Sequence, residues 1–417
     1  MDRISGLSDD LLIKVLSYLP TKLAVSASIL SKRWKCLWMW LPKLEFIGNS
    51  RSPSAECKRL RCFLHRNLPL YRAPVIESFV LKLYGARFKP EDISLCVLYA
   101  CSRYLRELEI SYMTDYSNVS PSSLYLCRSL VILKLEGNIL FDVLGMVGLP
   151  SLKKLQLVQV KFLDRGSFGR LVSVCPVLEH LSVEFRGGFD DSMGMITVTI
   201  PSLQSLSLQI PSVGILDGLV IDTPSLTYLK LEDYRQLNHS CLIENMPKLV
   251  EAYVDVSFSD IESLIGSITS VKRLKLSSEA VYGGGYVFNE LEKLKLCVGT
   301  RYASDLLVRL LQDSPKLRVL SLFEMDHKLS NMICWNQPKT VPKCVMSSLQ
   351  VFNWSGYIGK PHDRDIAVYI LKKACLLETA TILYDDSYTS KYEMLRGLSF
   401  SSRASTTCKL VFDEFLY

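Results

Sequence analysis

No run of apolar residues is long enough to span a bilayer, and the N-terminus opens on Asp2, Arg3, Asp9 and Asp10 where a signal peptide would carry its apolar core. The sequence therefore predicts a soluble intracellular protein, in cytoplasm, nucleus or both, with no membrane partner. A concentrated charge of one sign is also missing: 49 Lys and Arg against 42 Asp and Glu leave +7, spread along 417 residues, which argues against nucleic acid as a partner. Histidine is scarce, and His65, His180, His239, His327 and His362 are scattered. There is no C-x-x-C pair, P-loop, G-x-S-x-G, H-E-x-x-H or dinucleotide fingerprint, so no metal, no cofactor and no catalytic residue are expected. The one glycine cluster, Gly283-Gly284-Gly285, lacks a following Lys-Ser/Thr or helix pattern and reads as a turn. Thirteen cysteines are an odd number that cannot all pair internally, and in an intracellular chain they read as thiols. Cys101, Cys127, Cys175 and Cys375 fall just before apolar strand patterns, where a small buried hydrophobe fits. Asn118, Asn238 and Asn353 begin glycosylation triplets that have no meaning without secretion.

What the chain does have is a recurring phrase, apolar-x-x-apolar-x-apolar. It runs through Leu105-Leu108-Ile110, Leu130-Leu133-Leu135, Leu152-Leu155-Leu157, Leu178-Leu181-Val183, Leu203-Leu206-Leu208 and Leu226-Leu229-Leu231, and continues to Leu349-Phe352-Trp354. The interval of roughly 20 to 30 residues is the period of leucine-rich repeats. Alternation within each phrase predicts a short strand with one buried face, and the fixed period predicts parallel stacking in a solenoid. The spacing predicts helices over 301–313 and 363–375, one helix around Leu60, Phe63, Leu64 and Leu68, and an irregular link from Ile210 to Ile221. Pro150, Pro176, Pro201, Pro224, Pro247 and Pro315 each stand two residues before the first Leu of a phrase, where Pro is expected to end the return segment and feed the strand. The residues between the buried positions face the concave side of such a solenoid. There Tyr228, Lys230, Tyr253, Arg273, Lys275, Lys293 and Lys295 form a basic, aromatic stripe, readable as ordinary solvated lysine or as the surface that holds an acidic segment or a small anion.

The first 46 residues carry a different pattern. Leu7, Leu11, Leu12, Val15, Leu16 and Leu19 recur at helical spacing, with Ser8 placed to cap the helix and Pro20 to end it. Thr21 is placed to cap a second helix over Lys22–Ile29, and a third is expected from Ser31 through Trp34, Trp38 and Trp40 to Pro42. Three helices in so short a segment cannot bury enough surface alone. Either the segment caps the following repeats or its Leu-rich face docks on a separate protein.

Asp2-Arg3-Ile4-Ser5, Leu7 to Leu12, Val15 to Lys22, Val25 and Leu30 to Trp38 resemble the F-box of plant F-box/leucine-rich-repeat proteins, with Ser8 where the family usually has Pro. Ser348 to Tyr357, Ile370 to Ile382 and Arg403 to Phe412 resemble the FBD module that closes many of those proteins. The expected architecture is α/β: a three-helix F-box over 1–46, a linking segment and first irregular repeat over 47–104, leucine-rich repeats with a parallel sheet on the concave face over 105–345, and the FBD module with terminal repeats and cap over 346–417. The resemblance implies a non-catalytic substrate receptor of an SCF-type ubiquitin ligase. Its F-box would dock on a Skp-family adaptor and through it on a cullin-RING scaffold, and its repeats would hold a target protein of unknown identity. Adaptor docking is assigned to Leu7, Ser8, Leu11, Leu12, Leu16, Leu19, Pro20, Val25, Leu30, Trp34 and Leu37, with some of these needed for the small helical core. The alternative is a repeat scaffold that binds proteins independently of ubiquitin.

Overall fold

The computed structural model describes residues 4, 6–48, 55–84, 88–113, 118–141, 148–187, 192–235, 240–257, 261–324, 335–385, 391–399 and 401–414. Asp2, Arg3 and Ser5 of the N-terminal motif, together with Asn238, His239 and His327, lie outside the described residues. The chain divides into two compact units, residues 1–203 with 214–216 and residues 204–213 with 217–417.

In the first unit, α1 (Asp9–Leu16) and α2 (Thr21–Ser26) are followed by two short 3₁₀ segments, Ala27–Ile29 and Trp34–Trp40, and then by strand β1 (Lys43–Gly48). The expected third α-helix is thus a 3₁₀ turn, and the second helix stops as an α-helix at Ser26. In 3₁₀ geometry side chains three apart eclipse, which sends Trp34 with Leu37, and Trp38 with Leu41, into the core together. Helices α3 (Ala55–Asn67) and α4 (Pro90–Cys101) alternate with β2 (Ser78–Tyr84) and β3 (Glu107–Met113). After them come β4 (Asn118–Val119), β5 (Ile132–Gly137), β6 (Ile139–Phe141), β7 (Lys154–Phe162), α5 (Ser167–Ser173), β8 (His180–Phe185) and β9 (Ser192–Thr199). Strands β1, β2, β3, β5, β7 and β8 pair in parallel and in that order.

The second unit repeats the scheme with β10 (Ser205–Ile210), β11 (Ile215–Asp222), β12 (Tyr228–Asp233), β13 (Ser240–Ile243), β14 (Glu251–Val256), α6 (Glu262–Ser267), β15 (Arg273–Ser278) and β16 (Lys293–Cys297). It continues through α7 (Ala303–Asp313), β17 (Val319–Phe323), α8 (Lys343–Ser347), β18 (Val351–Tyr357), α9 (Pro361–Lys373), β19 (Thr379–Tyr384), α10 (Lys391–Ser399) and β20 (Lys409–Glu414). Its main ladder runs β10, β12, β14, β15, β16, β17, β18, β19, β20, all parallel. The link from Ile210 to Ile221 is not irregular. Its apolar Leu216, Leu219 and Ile221 are buried, and β11 pairs in parallel with β13 on the return side of the repeats.

Register is what makes the phrase work. Leu229, Ala252, Leu274, Leu294, Leu320, Phe352 and Ala380 are paired from strand to strand, so one buried column passes through the unit, with Leu231, Val254, Leu276, Leu296, Leu322, Trp354 and Ile382 as the next. Stacking identical positions every ~4.8 Å gives each repeat a core it could not form alone.

The recurrent prolines have a sharper role than feeding a strand. The amides of Leu152, Leu178, Leu203, Leu226, Leu249 and Leu317 each donate to the carbonyl three residues earlier, at 3.0–3.3 Å. Each Pro therefore occupies the second position of a β-turn, where its fixed φ is favourable. A serine beside the first apolar residue of several phrases also reaches back one repeat. Ser129 donates to the Leu105 carbonyl at 2.8 Å, Ser202 to Leu178 at 2.9 Å, Ser270 to Leu249 at 3.2 Å and Ser348 to Leu317 at 2.8 Å. Ser405 donates to Leu377 in the same way at 2.6 Å. The cysteine expectation holds for Cys127 and Cys175, which are buried, while Cys101 is half-buried and Cys375 is exposed. Gly284 and Gly285 turn with φ of +84° and +106°, a region open to glycine at little cost.

Candidate functional site

Two surfaces carry the residues singled out from the sequence. The first is the N-terminal helical module. Ser8 sits at the N-cap of α1 with extended backbone but makes no side-chain cap bond, and Asp9 and Asp10 supply the favourable charge in the first turn. The start of α1 is held by Arg33 instead, which donates from Nε to Asp9 at 2.9 Å and from its terminal nitrogen to the Leu7 carbonyl. Thr21 is the first residue of α2 rather than its cap. Its buried hydroxyl accepts the Glu45 amide at 2.8 Å and ties the helix to β1. The amides of Arg72 and Ala73 donate to the Met39 carbonyl, and Trp38 packs on Phe63 with ring centroids 5.5 Å apart.

These ties divide the eleven adaptor candidates into two sets. Leu12, Leu16, Trp34 and Leu37 are buried and belong to the small helical core. Leu11, Leu19 and Leu30 are exposed, as are Ser8 and Pro20, while Leu7 and Val25 are half-buried. The exposed apolar set extends beyond the candidates. Val15, Tyr18, Leu23 and Ile29 are also open, Ile29 to 88% and Tyr18 to 79%. Leu11, Val15, Tyr18 and Leu19 follow one another at four, three and one residues, so they share the outer side of α1 and its exit. A sequence apolar on both sides of one helix does not say which side is inside; the buried partners decide it.

The second surface lies on the polar side of the strands in the second unit. Register places Tyr228, Glu251, Arg273 and Lys293 in one row and Lys230, Tyr253, Lys275 and Lys295 in the next. Arg273 is spoken for by Glu251, with Nε and a terminal nitrogen at 3.1 and 2.7 Å from one carboxylate oxygen, and Lys230 lies 3.0 Å from Glu232. Lys275 stands over the Tyr253 ring, 4.2 Å from its centroid, and 5.0 Å from that of Phe323, while Lys295 stands 5.1 Å from Phe323. Ammonium groups over ring faces are held by the ring quadrupole. Burial, then the charge of Lys295, hold the Lys275 ammonium below the usual lysine range, against the pull of Asp255 and Glu232. Burial and those same carboxylates push the Tyr253 phenol well above its usual range, so it stays protonated. Tyr228, Lys230, Tyr253 and Lys275 are half-buried, and Arg273, Lys293 and Lys295 are exposed. Sequence reading missed Phe323, which belongs to the third row of the same face and lies under both lysines.

Among the described residues no group of three or more His, Cys, Asp or Glu is placed to hold a metal ion, and no helix is long and apolar enough to cross a membrane.

A parallel ladder of leucine-rich strands that opens on a short helical module with an uncovered apolar side defines a repeat protein with an F-box. Three family models match the chain: an F-box domain over residues 4–46, the leucine-rich repeats of the FBD-associated F-box protein At5g56370 over 98–263, and an FBD over 337–382. The chain belongs to the FBD-associated F-box family of leucine-rich-repeat proteins. It is 57% identical to the FBD-associated F-box protein At4g10400 of Arabidopsis thaliana over 99% of this chain and all of that one. It is 49% identical to the FBD-associated F-box protein At5g38590 over 95% and 98%, and 42% identical to the F-box/FBD/LRR-repeat protein At5g56420 over 99% of both, all from the same plant.

Proposed function

We propose that the protein is the substrate-receptor subunit of an SCF-type ubiquitin ligase, docking through its F-box on a Skp-family adaptor and holding a target protein on its repeats. Involvement in ubiquitin ligases is typical of F-box proteins, and the membership of this chain in an F-box family supports the role. The observation that carries the reading is the set of exposed apolar residues that the module's own core leaves uncovered: Leu11, Val15, Tyr18 and Leu19 on the outer side of α1 and its exit, with Leu23, Ile29 and Leu30 after it. A large contiguous apolar surface on a soluble protein marks an interaction site, and a stable interface buries roughly 1,600 Å² around a few apolar anchors. The chain would supply no reacting group. Holding the target beside a charged ubiquitin carrier turns a rare encounter into a local one, and the acceleration is that of proximity.

The test is capture by a purified Skp-family adaptor. The native chain is expected to form a one-to-one complex. Replacing Leu11, Leu19 and Leu30 together by Ala should weaken capture at least tenfold with the melting temperature unchanged, whereas Leu12→Ala should lower stability by about 2–5 kcal/mol as a cavity in the core. A native chain that forms no complex, or a triple variant captured as well as native, overturns the reading.

A further inference from the structure

The basic face of the second unit has a geometry that selects among ligands. Strands β15 and β16 are paired in register, and each carries two cations at alternate positions: Arg273 and Lys275 on one, Lys293 and Lys295 on the other. Neighbouring strands lie roughly 4.8 Å apart, and alternate residues on a strand roughly 6.7 Å apart. The four cations therefore form two pairs that repeat along the strand direction with the spacing at which an extended peptide presents its own alternate side chains.

The charges around this array do not cancel it. Over the three rows from β12 to β16 the cations are Lys230, Arg273, Lys275, Lys293 and Lys295, and the carboxylates are Glu232, Glu251 and Asp255. Glu251 is committed to Arg273 and Glu232 to Lys230, and both Glu232 and Asp255 are buried. Of the open charges the surplus is positive, and it centres on Lys275, Lys293 and Lys295. The Tyr253 and Phe323 rings hold the Lys275 and Lys295 ammonium groups by cation–π contact at 4.2–5.1 Å from their centroids, a contact that leaves an ammonium, with its three N–H donors, able to bond a carboxylate as well. Two lysines straddling one ring repel each other, and an anion between them relieves that repulsion.

We infer that this face binds an extended acidic segment of a protein, with Glu or Asp at alternate positions, one carboxylate seated between Lys275 and Lys295 and the next at Lys293, beside the Arg273–Glu251 pair. The inference rests on the receptor reading for its biological meaning, since the segment would belong to the target. Its chemistry stands on the face alone.

The experiment uses the full chain and a fluorescein-labelled peptide with three Glu at alternate positions separated by Ser, titrated by fluorescence anisotropy at moderate salt. Saturable binding is expected, weakened at least tenfold by Lys275→Glu with Lys295→Glu and about threefold or more by the milder Lys275→Gln with Lys295→Gln. The charge-matched control, Lys343→Glu with Lys372→Glu on helices α8 and α9, should bind as native. Peptides with the three Glu adjacent, or with Ser throughout, should bind at least fivefold more weakly. Unchanged binding in both lysine pairs, equal loss in the control, equal affinity for the adjacent-Glu peptide, or equal affinity for a short single-stranded oligonucleotide each overturns the inference. So does a peptide that saturates only when a phosphoserine replaces the central Glu. No adaptor is present in this assay, so its failure leaves adaptor docking standing, and a failure of docking leaves the peptide result standing.

Discussion

At the scale of single residues, the most consequential departures from sequence expectation are side chains whose partners lie far along the chain. Arg33, not Ser8, secures the start of the first helix, and Thr21 serves a strand rather than the helix it begins. No local pattern announces either, because each bond closes over more than 20 residues. Asp363 is a further case. It accepts the Lys360 amide at the start of α9 at 3.2 Å, yet burial, reinforced by Glu324, pushes its carboxyl up to about 7. Burial likewise raises Glu324, with Lys360 opposing and Asp385 assisting. The folded chain thus holds the Asp363 proton more tightly than the unfolded one. Its contribution to stability is complete below about pH 4 and is lost as pH rises towards 7. His362, lowered by burial and Lys360, works in the opposite sense, its cost falling as pH rises. Asp363→Asn isolates the first effect. The variant should match the native chain near pH 4 and exceed it at pH 8 by up to roughly 4 kcal/mol, read as urea midpoints across pH; a difference independent of pH would refute the assignment.

At the scale of elements, the strands were legible and their joints were not. Each phrase from Leu105 onward lies on a parallel strand because alternation fixes the buried face and the period fixes the partner. The helices over Ala303–Asp313 and Pro361–Lys373 and the one around Leu64 were equally plain from spacing. What period alone hides is the turn chemistry: the prolines that open a β-turn, the serines that bond one repeat back, and the return-side pairing of β11 with β13. The serine joint is testable. Ser405 is buried and its hydroxyl accounts for the Leu377 carbonyl. Ser405→Ala should cost about 1–2 kcal/mol, seen as a lower urea midpoint with an unchanged slope. The candidate surfaces divide in the same way. The stripe from Tyr228 to Lys295 was readable because strands alternate strictly, whereas the helical module is apolar on two sides and only its packing separates Leu12 from Leu11.

At the scale of the molecule, the helical module is not an appendage of its unit. The F-box match runs to residue 46, inside β1, and β1 pairs with β2 from Lys43 opposite Ser78 to Gly48 opposite Leu83. Leu44 and Phe46 are buried there, Phe46 against Phe79 with ring centroids 5.9 Å apart. A chain begun at residue 49 is therefore expected to lose solubility and to elute as aggregates on size exclusion, while the triple Leu variant stays monomeric. For anyone testing the proposed receptor role in a cell, deleting the amino-terminal box is expected to yield a sticky fragment with a raw β-edge, and a few point changes on the helix surface are the cleaner instrument.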